Sequence, residues 1–294
     1  MRSENVMILI TGASGNVGKE VLKQVAQTKV QVRAAFQSAS KAGVPPPGVE
    51  IVTVDYNQPQ TLRAALKGVE RVFLVGPPTA QLPALEGKAM EVITQSDVRQ
   101  VVKLSAMGGR EAIFPRQHAQ SEDYIQSTGV PYTFLRPNGF MQNIVNYNAP
   151  TINTQNAFYG SEGDGRVSQI DIRDVAAVAV KALTEDGHAG KAYTLTGSEA
   201  LTNREIAQIL SEELGREIAY INLQPAPLRE ALLSAGVPAW NADALLDLQR
   251  LYREGKAANV TRDVEQILGR KPIRFVQFVR DYRHAFEARG KAAG

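Results

Sequence analysis

Short apolar runs alternate with amphipathic segments along the first half of the chain. Six of these runs are predicted to be β-strands, because they are short, apolar and bounded by turn residues. Between the first two runs, Val17, Val21, Leu22 and Val25 share one face of a predicted helix. Some runs are apolar without alternation, which is typical of strands that are buried on both faces. The predicted strands are Val6–Thr11, Val30–Phe36, Val49–Val54, Val69–Val75, Gln100–Ser105 and Tyr132–Arg136.

Strands that alternate with helices indicate βαβ units, so the pattern predicts an α/β fold with a Rossmann-type, doubly wound parallel sheet. The second half of the chain is mostly helical and predicts a smaller C-terminal lobe. We expect a dinucleotide-binding domain over residues 1–150 and a mainly helical substrate lobe over residues 151–294, with residues 191–197 returning a strand to the main sheet. The predicted helices of this half are Val175–Leu183, one opened by a capping box at Thr202 and Glu205, Leu228–Ala235, Ala242–Tyr252, Val260–Leu268 and Phe275–Phe286.

A glycine-rich turn lies between the first predicted strand and the first predicted helix. Gly12, Gly15 and Gly18 follow the pattern G-x-x-G-x-x-G. Gly12 permits a tight turn, Gly15 lets backbone N–H groups approach a pyrophosphate, and Gly18 lets the helix pack closely on the sheet. The plainer alternative is a turn without a ligand, but the strand-to-helix context favours a phosphate site. Its predicted members are Gly12, Ser14, Gly15, Asn16, Val17 and Gly18.

The end of the second strand selects between NADH and NADPH in this kind of fold. The segment Phe36–Lys41 contains no carboxylate to accept the 2′-hydroxyl group of NADH. Gln37 and Ser38 can donate hydrogen bonds to a 2′-phosphate, and Lys41 can add a positive charge, unless it is only a solvated loop lysine. We therefore expect NADPH in preference to NADH, although NADH remains possible.

The composition excludes several other kinds of site. The chain has no cysteine, which rules out disulfides, thiolate nucleophiles and iron–sulfur clusters, and its three histidines are far apart. Neither a metal nor a flavin is expected. The net charge of +3 comes from scattered basic residues, so no contact with nucleic acid is expected. No apolar run is long enough for a membrane span, no signal peptide is expected, and we expect a cytoplasmic protein.

Several segments give the chain a specific resemblance from about Val6 to Phe286. It resembles NmrA-like proteins of the atypical short-chain dehydrogenase/reductase family, and among them bacterial NAD(P)H quinone oxidoreductases and triphenylmethane reductases. The glycine turn and the run Pro131–Asn138 are the most specific parts. The segments that carry the resemblance are Gly12–Gly18, Asp55–Tyr56, Val101–Ser105, Gly129–Asn138 with Phe140–Asn143, Ile170–Val175 and Ala192–Gly197.

This resemblance implies a dinucleotide across the carboxyl ends of the strands and a substrate cleft between two lobes. Two departures are visible: Gln37 stands where members of the family often have Arg, and no lysine stands near Gln117 and His118, where many relatives have one. The implied cofactor contacts are Asp55, Tyr56, Gly76, Pro77, Ser105, Pro137 and Asn138, and the implied substrate contacts are Phe140, Met141 and Asn143.

The region where classical short-chain dehydrogenases have their Tyr-x-x-x-Lys pair contains no such pair here. Tyr124 falls in the right region, but Thr128 occupies the position where the lysine would stand. His118, which precedes the predicted helix containing Ser121–Ser127, is then the candidate proton donor, with a surface or helix-capping histidine as the alternative. Ser105, for its part, is equally explained as a small polar residue that ends a strand.

Two functions fit these observations. The first is an NAD(P)H-dependent oxidoreductase that transfers a hydride to a planar apolar acceptor, such as a quinone, an azo dye or a triphenylmethane dye. The second is an NmrA-like redox sensor that binds a dinucleotide without turnover and reports its state to a protein partner. Turnover with a panel of acceptors distinguishes the two.

Overall fold

The computed structural model describes residues 6–42 and 44–287, and its main feature is a parallel sheet of seven strands in the order β3-β2-β1-β4-β5-β6-β8. Residues 1–5, 43 and 288–294, including the outer ends of both predicted domains, lie outside this description. The strands of this sheet are β1 Met7–Ile10, β2 Gln31–Phe36, β3 Val49–Thr53, β4 Arg71–Leu74, β5 Gln100–Leu104, β6 Tyr132–Pro137 and β8 Lys191–Leu195.

The predicted α/β fold with a doubly wound sheet is confirmed, and each of the first six strands lies within two residues of its predicted bounds. Ile8 of β1 pairs with Val32 of β2 on one side and with Arg71 of β4 on the other. The strand order therefore reverses between β1 and β4. In open parallel sheets, ligands bind in the crevice at the carboxyl ends of the strands at this reversal.

Helices cover both faces of the sheet. On one face, Val21 of α1 and Val178 of α6 share a core with Ile8 and Phe73 of the sheet. The other face is covered by α2, α3 and α4, and its core includes Met90. Apolar residues therefore line both sides of the sheet, which explains why its strands lack polar alternation. The helices of this part are α1 Asn16–Val25, α2 Pro59–Ala65, α3 Leu82–Ile93, α4 Ile113–Ser127 and α6 Ile172–Thr184.

Most of the remaining elements form a second lobe, whose apolar core contains Phe158, Leu210 and Phe278. Helix α10 instead packs on the main sheet, where Val264 joins the core that α1 and α6 share. Two short parallel strands, β7 Ala157–Gly160 and β9 Ala219–Asn222, pair within it. The sequence did not predict these strands or α5. The other helices are α5 Ala149–Gln155, α7 Asn203–Leu214, α8 Pro225–Ser234, α9 Ala239–Arg253, α10 Asp263–Leu268 and α11 Phe275–Asp281.

Local sequence signals predicted some helix ends correctly and others wrongly. The capping box of Thr202 and Glu205 is present at the start of α7, and Gly215 ends that helix in the left-handed conformation. Helix α4 begins at Ile113, not near Ser121, because a proline in the first turn of a helix is tolerated and does not mark a break. Helix α10 starts only at Asp263, and a 3-10 turn follows α11.

No helix within residues 6–42 and 44–287 combines the length and the apolarity that crossing a membrane requires.

Candidate cofactor and active site

The glycine turn is packed so closely that two of its positions, Gly12 and Gly18, need glycine. Gly12 has φ +61°, and a Cβ atom there would lie 2.9 Å from the Cβ of Val75. A Cβ on Gly18 would lie 2.2 Å from the carbonyl oxygen of Gly12. Gly15 is exposed and occupies the N-cap of α1 in extended conformation. The first N–H groups of α1, which have no partner inside the helix, are thus available to an anion.

A cavity of about 350 Å³ opens at this turn and runs along the carboxyl ends of the sheet's strands. Eight residues predicted to bind the cofactor line it: Gly12, Ser14, Gly15, Gln37, Asp55, Tyr56, Gly76 and Pro77. The prediction did not include the other lining residues, which are Thr11, Ala35, Phe36, Val54, Asn57, Val75, Pro78 and Leu85. The predicted residues Asn16, Val17, Gly18, Ser38, Lys41, Ser105, Pro137 and Asn138 lie outside this lining.

The wall of the cavity after β4 is held by three side chains. The backbone N–H of Val75 donates to Thr11 Oγ1 at 2.8 Å, and its carbonyl oxygen accepts from the Tyr56 hydroxyl at 3.2 Å. The N–H of Gly76 donates to Glu86 Oε1 at 3.0 Å. Burial raises the pKa of the Tyr56 phenol, as does the nearby Glu86 carboxylate, so this hydroxyl stays protonated and acts as a donor.

Of the residues predicted to select the cofactor, Gln37 lines one end of the cavity, and Ser38 and Lys41 lie beyond this lining. Lys41 Nζ donates to Gln37 Oε1 at 2.9 Å, which uses the amide oxygen of Gln37 and not its NH₂ group. The hydroxyl groups of Ser38 and Ser40 are 3.0 Å apart. The carboxylate of Asp55 accepts from the backbone N–H of Asn57, which holds the loop after β3 in place. Amide, hydroxyl and ammonium donors are thus grouped at one end.

Ser105 follows β5 and lies beside an ion pair in which Glu122 is buried and Arg136 is partly exposed. Its hydroxyl donates to Glu122 Oε1 at 2.5 Å, and the guanidinium group of Arg136 contacts both carboxylate oxygens of Glu122. These contacts raise the pKa of Arg136, chiefly through the hydrogen bond to Glu122, although burial opposes that effect. The Ser105 hydroxyl is therefore committed to a protein partner in this structure.

His118 lies inside α4 and does not precede the helix as predicted. Only 5% of its surface is exposed, which excludes the surface alternative, and a position within α4 excludes the capping alternative. Its Nδ1 atom is 3.3 Å from Nζ of Lys103. Burial lowers the pKa of His118 well below its usual value, and the charge of Lys103 lowers it further. The imidazole is therefore neutral at neutral pH.

The predicted residues after β6 connect the two lobes. The side-chain NH₂ group of Asn138 donates to Ser168 Oγ and to the carbonyl oxygen of Ala257, both at 2.9 Å. Met141 packs in the core of the second lobe, Phe140 packs partly against the core of the first lobe, and Asn143 is exposed. Pro137 belongs to β6 and pairs with β8.

The second lobe also touches the cavity wall directly. The side chain of Asn241, at the start of α9, donates to the carbonyl oxygen of Pro78 at 3.1 Å. Asp247 of the same helix accepts from the backbone N–H of Ile113, where α4 begins. Helix α9 therefore packs against Pro78, one of the residues that line the cavity, without lining the cavity itself.

Two charged residues below the cavity were not anticipated from the sequence. Lys103 of β5 and Glu86 of α3 form an ion pair with both side chains fully buried. The sequence did contain one signal for this pair, which is a lysine inside an apolar predicted strand. A lysine buried in a strand requires an oppositely charged or hydrogen-bonding partner. Among the described residues, no group of three or more His, Cys, Asp or Glu side chains is arranged to hold a metal ion.

The doubly wound sheet, the glycine turn and the cavity at the strand reversal define a Rossmann-type dinucleotide-binding protein. A model of the NAD(P)H-binding family matches residues 12–186. The chain belongs to this family, and the predicted nicotinamide dinucleotide cofactor is confirmed at the level of NAD(P)H.

Known proteins resemble the chain over nearly its whole length. It is 37% identical over 285 residues to the (4-alkanoyl-5-oxo-2,5-dihydrofuran-3-yl)methyl phosphate reductase of Streptomyces griseus, which covers 95% of this chain and 99% of that protein. It is 33% identical over 286 residues to the NAD(P)H azoreductase of Xenophilus azovorans, covering 96% of this chain and 100% of the relative. These relatives confirm the expected resemblance to NAD(P)H-dependent reductases.

A solved structure also resembles this chain over nearly its whole length. The NADPH-dependent quinone oxidoreductase of Escherichia coli, in complex with NADPH, superposes with a TM-score of 0.86. The two chains are 26% identical, and the match covers 94% of this chain and 100% of the other.

Proposed function

We propose that this protein is an NAD(P)H-dependent reductase that transfers a hydride directly to a planar apolar acceptor, such as a quinone, an azo dye or a triphenylmethane dye. The observation that carries this function is the cavity of about 350 Å³ at the strand reversal, which is lined by the glycine turn and by the fixed Val75–Gly76 segment. Relatives named as an azoreductase and as a quinone oxidoreductase support the class of acceptor.

The arrangement of side chains favours catalysis by proximity. Tyr124 has no lysine four residues after it, His118 is neutral and buried, and the Ser105 hydroxyl donates to Glu122. Hydride transfer to a quinone or a dye depends mainly on stacking the acceptor against the nicotinamide in a cleft with little water. Helix α9, which contacts Pro78 through Asn241, supplies a wall for that cleft.

The preferred cofactor in this proposal is NADPH. Gln37, Ser38 and Lys41 supply donors and a positive charge at the end of the cavity where a 2′-phosphate would lie. The binding partner in this proposal is the small-molecule acceptor. We place the enzyme in the cytoplasm, because a reductase of this kind needs a supply of reduced dinucleotide. A chain without cysteine is compatible with that reducing compartment.

The decisive experiment measures NADPH oxidation without added flavin, using quinones, azo dyes, triphenylmethane dyes and the phosphate ester named for the Streptomyces relative. NADPH deuterated at the transferred C4 position should react more slowly, and a triphenylmethane dye should retain the deuterium on its central carbon, which demonstrates direct hydride transfer. Reduced quinones and azo dyes carry the transferred hydrogen on oxygen or nitrogen, where it exchanges with water, so only the rate effect is informative for them. Turnover of the phosphate ester alone would change the substrate class to an anionic one. Binding that distinguishes oxidised from reduced cofactor, without any turnover, would instead support a redox sensor with a protein partner.

A further inference from the structure

A fully buried ion pair lies directly behind the wall of the cofactor cavity. Glu86 Oε1 is 2.8 Å from Lys103 Nζ, and Glu86 Oε2 is 2.6 Å from the same nitrogen. Neither side chain is exposed. Removing two charges from water carries a large desolvation cost, and apolar residues of similar size would fill the same space at a lower cost. A buried ion pair in this place therefore calls for a role other than stability.

The ion pair makes its first contact with the wall of the cavity. Glu86 Oε1 accepts the N–H of Gly76 at 3.0 Å, and Gly76 lines the cavity. A Cβ atom on Gly76 would lie 2.9 Å from the same oxygen. Glycine at this position therefore allows the carboxylate to approach the backbone. The orientation of the peptide that faces the ligand is thus set by a side chain from α3.

The second contact is with His118. The ammonium group of Lys103 has three donors and no acceptor. One donor goes to Glu86 at 2.8 Å, one to the carbonyl oxygen of Leu104 at 3.2 Å, and the third lies 3.3 Å from His118 Nδ1. Nδ1 must therefore present its lone pair to Lys103. A neutral imidazole with this contact carries its proton on Nε2.

We propose that Glu86 and Lys103 are the positioning residues of this site, a role that rests on the proposed binding of NAD(P)H in this cavity. Glu86 holds the Gly76 peptide against the cofactor, and Lys103 holds His118 in the Nε2–H form. Lys103 also neutralises the carboxylate of Glu86. Without it, a bare negative charge would lie behind the wall and would repel the phosphates of the cofactor.

Binding of NADPH to the full-length protein, followed by fluorescence titration, tests the pair without requiring turnover. Lys103→Met should weaken NADPH binding by about tenfold or more, because it leaves a buried carboxylate without its counter-ion. Adding Glu86→Gln should restore most of this loss, because a neutral amide can still accept the Gly76 N–H. Arg110→Met is the matched control, since Arg110 pairs with Asp123 on the exposed side of α4.

Two binding results would overturn the inference. One is wild-type affinity in a folded Lys103→Met variant. The other is a double variant whose loss equals the product of the two single losses, because the residues would then act independently. If Lys103→Met does not fold, Gly76→Ala replaces it, since it keeps both charges and pushes the carboxylate away from the wall. That variant should also bind NADPH about tenfold more weakly. Unchanged affinity would contradict the positioning role of Glu86 and Lys103.

The tautomer of His118 gives a readout that does not depend on cofactor binding. The chain has three histidines, so ¹⁵N NMR spectra can be assigned by substituting each in turn. The wild-type protein should show His118 with a bare Nδ1 and a protonated Nε2, and the double variant should lose this fixed form. A proton on Nδ1 in the wild type would refute the positioning role. Failure of the unmodified protein to bind NADPH would refute the proposed function while leaving this result intact.

Discussion

Gly18 packs against Gly12 so closely that a Cβ atom on Gly18 would lie 2.2 Å from the carbonyl oxygen of Gly12. This contact joins the first turn of α1 to the end of β1 through backbone atoms alone. Gly15 differs, because it is exposed at the N-cap and a Cβ there would lie 3.3 Å from the same oxygen. Glycine at position 18 is therefore required by packing within the fold, whereas we expect glycine at position 15 to be required by the ligand.

Gly18→Ala should lower the free energy of unfolding by about 2 kcal/mol, because the methyl group must displace backbone atoms and not a flexible side chain. Urea denaturation measures this loss. Lys19→Ala, which alters the neighbouring exposed position of the same helix, should change stability by less than about 0.5 kcal/mol. Equal stability of the Gly18→Ala variant and the wild type would show that the turn can relax.

Gly15→Asp should weaken NADPH binding by about 100-fold or more while the protein stays folded, because a carboxylate would occupy the pyrophosphate position. Titration with NADPH and a thermal unfolding curve together test this outcome. Lys19→Gln changes the net charge by the same single unit nearby and serves as the control for charge alone. A folded Gly15→Asp variant with wild-type affinity would remove the turn from the cofactor site.

The wild-type protein should bind NADPH more tightly than NADH, and Gln37→Arg should widen the difference. Arginine adds a positive charge and can form two hydrogen bonds to the 2′-phosphate, whereas Gln37 is neutral and can donate only through its NH₂ group. We expect a gain of about tenfold in NADPH affinity and little change for NADH. Dissociation constants for both cofactors decide the matter, and tighter binding of NADH by the wild type would reverse the assignment.

His118 should make the folded protein sensitive to acid. Burial and the charge of Lys103 lower the pKa of His118 in the folded state, so below its usual value of 6.5 the unfolded chain binds more protons. The free energy of unfolding should therefore be highest above that value and fall as the pH decreases toward about 5. Urea denaturation across this range should show a smaller fall for His118→Gln than for the wild type.

His284→Gln is the matched control, because His284 is exposed, and it should keep the wild-type dependence. His188, whose pKa is also lowered by burial, is present in all three proteins and cancels from the comparison. An identical acid dependence of wild type and His118→Gln would mean that His118 binds a proton equally well in both states.

The chain could be assigned a fold from its sequence because the central strands of the main sheet are buried on both faces and their apolar runs end at turn residues. Strands β7 and β9 are only four residues long, and Tyr159 and Ile221 within them are exposed, so they leave no such pattern. The eight predicted residues that line the cavity follow either the glycine motif or the ends of predicted strands.

Other parts of the site depend on tertiary contacts that the spacing of residues along the sequence does not reveal. Lys103 and Glu86 are 17 residues apart, on a strand and on the preceding helix, and only tertiary packing brings them together. His118 could be placed in the right region, but its burial depended on where α4 begins. That helix begins at Ile113, earlier than predicted, and accommodates Pro115 within its first turn.

The last strand of the main sheet and the helix that covers α1 both come from the second half of the chain. Strand β8 pairs with β6, and Val178 of α6 packs into the core that contains Val21 of α1. During synthesis, the nascent cofactor-binding segment therefore leaves the ribosome with one apolar face uncovered and must wait for residues 172–195 before that face closes. A fragment that ends at residue 150 would remain in this open state, so the cofactor-binding half cannot be excised as an independent module.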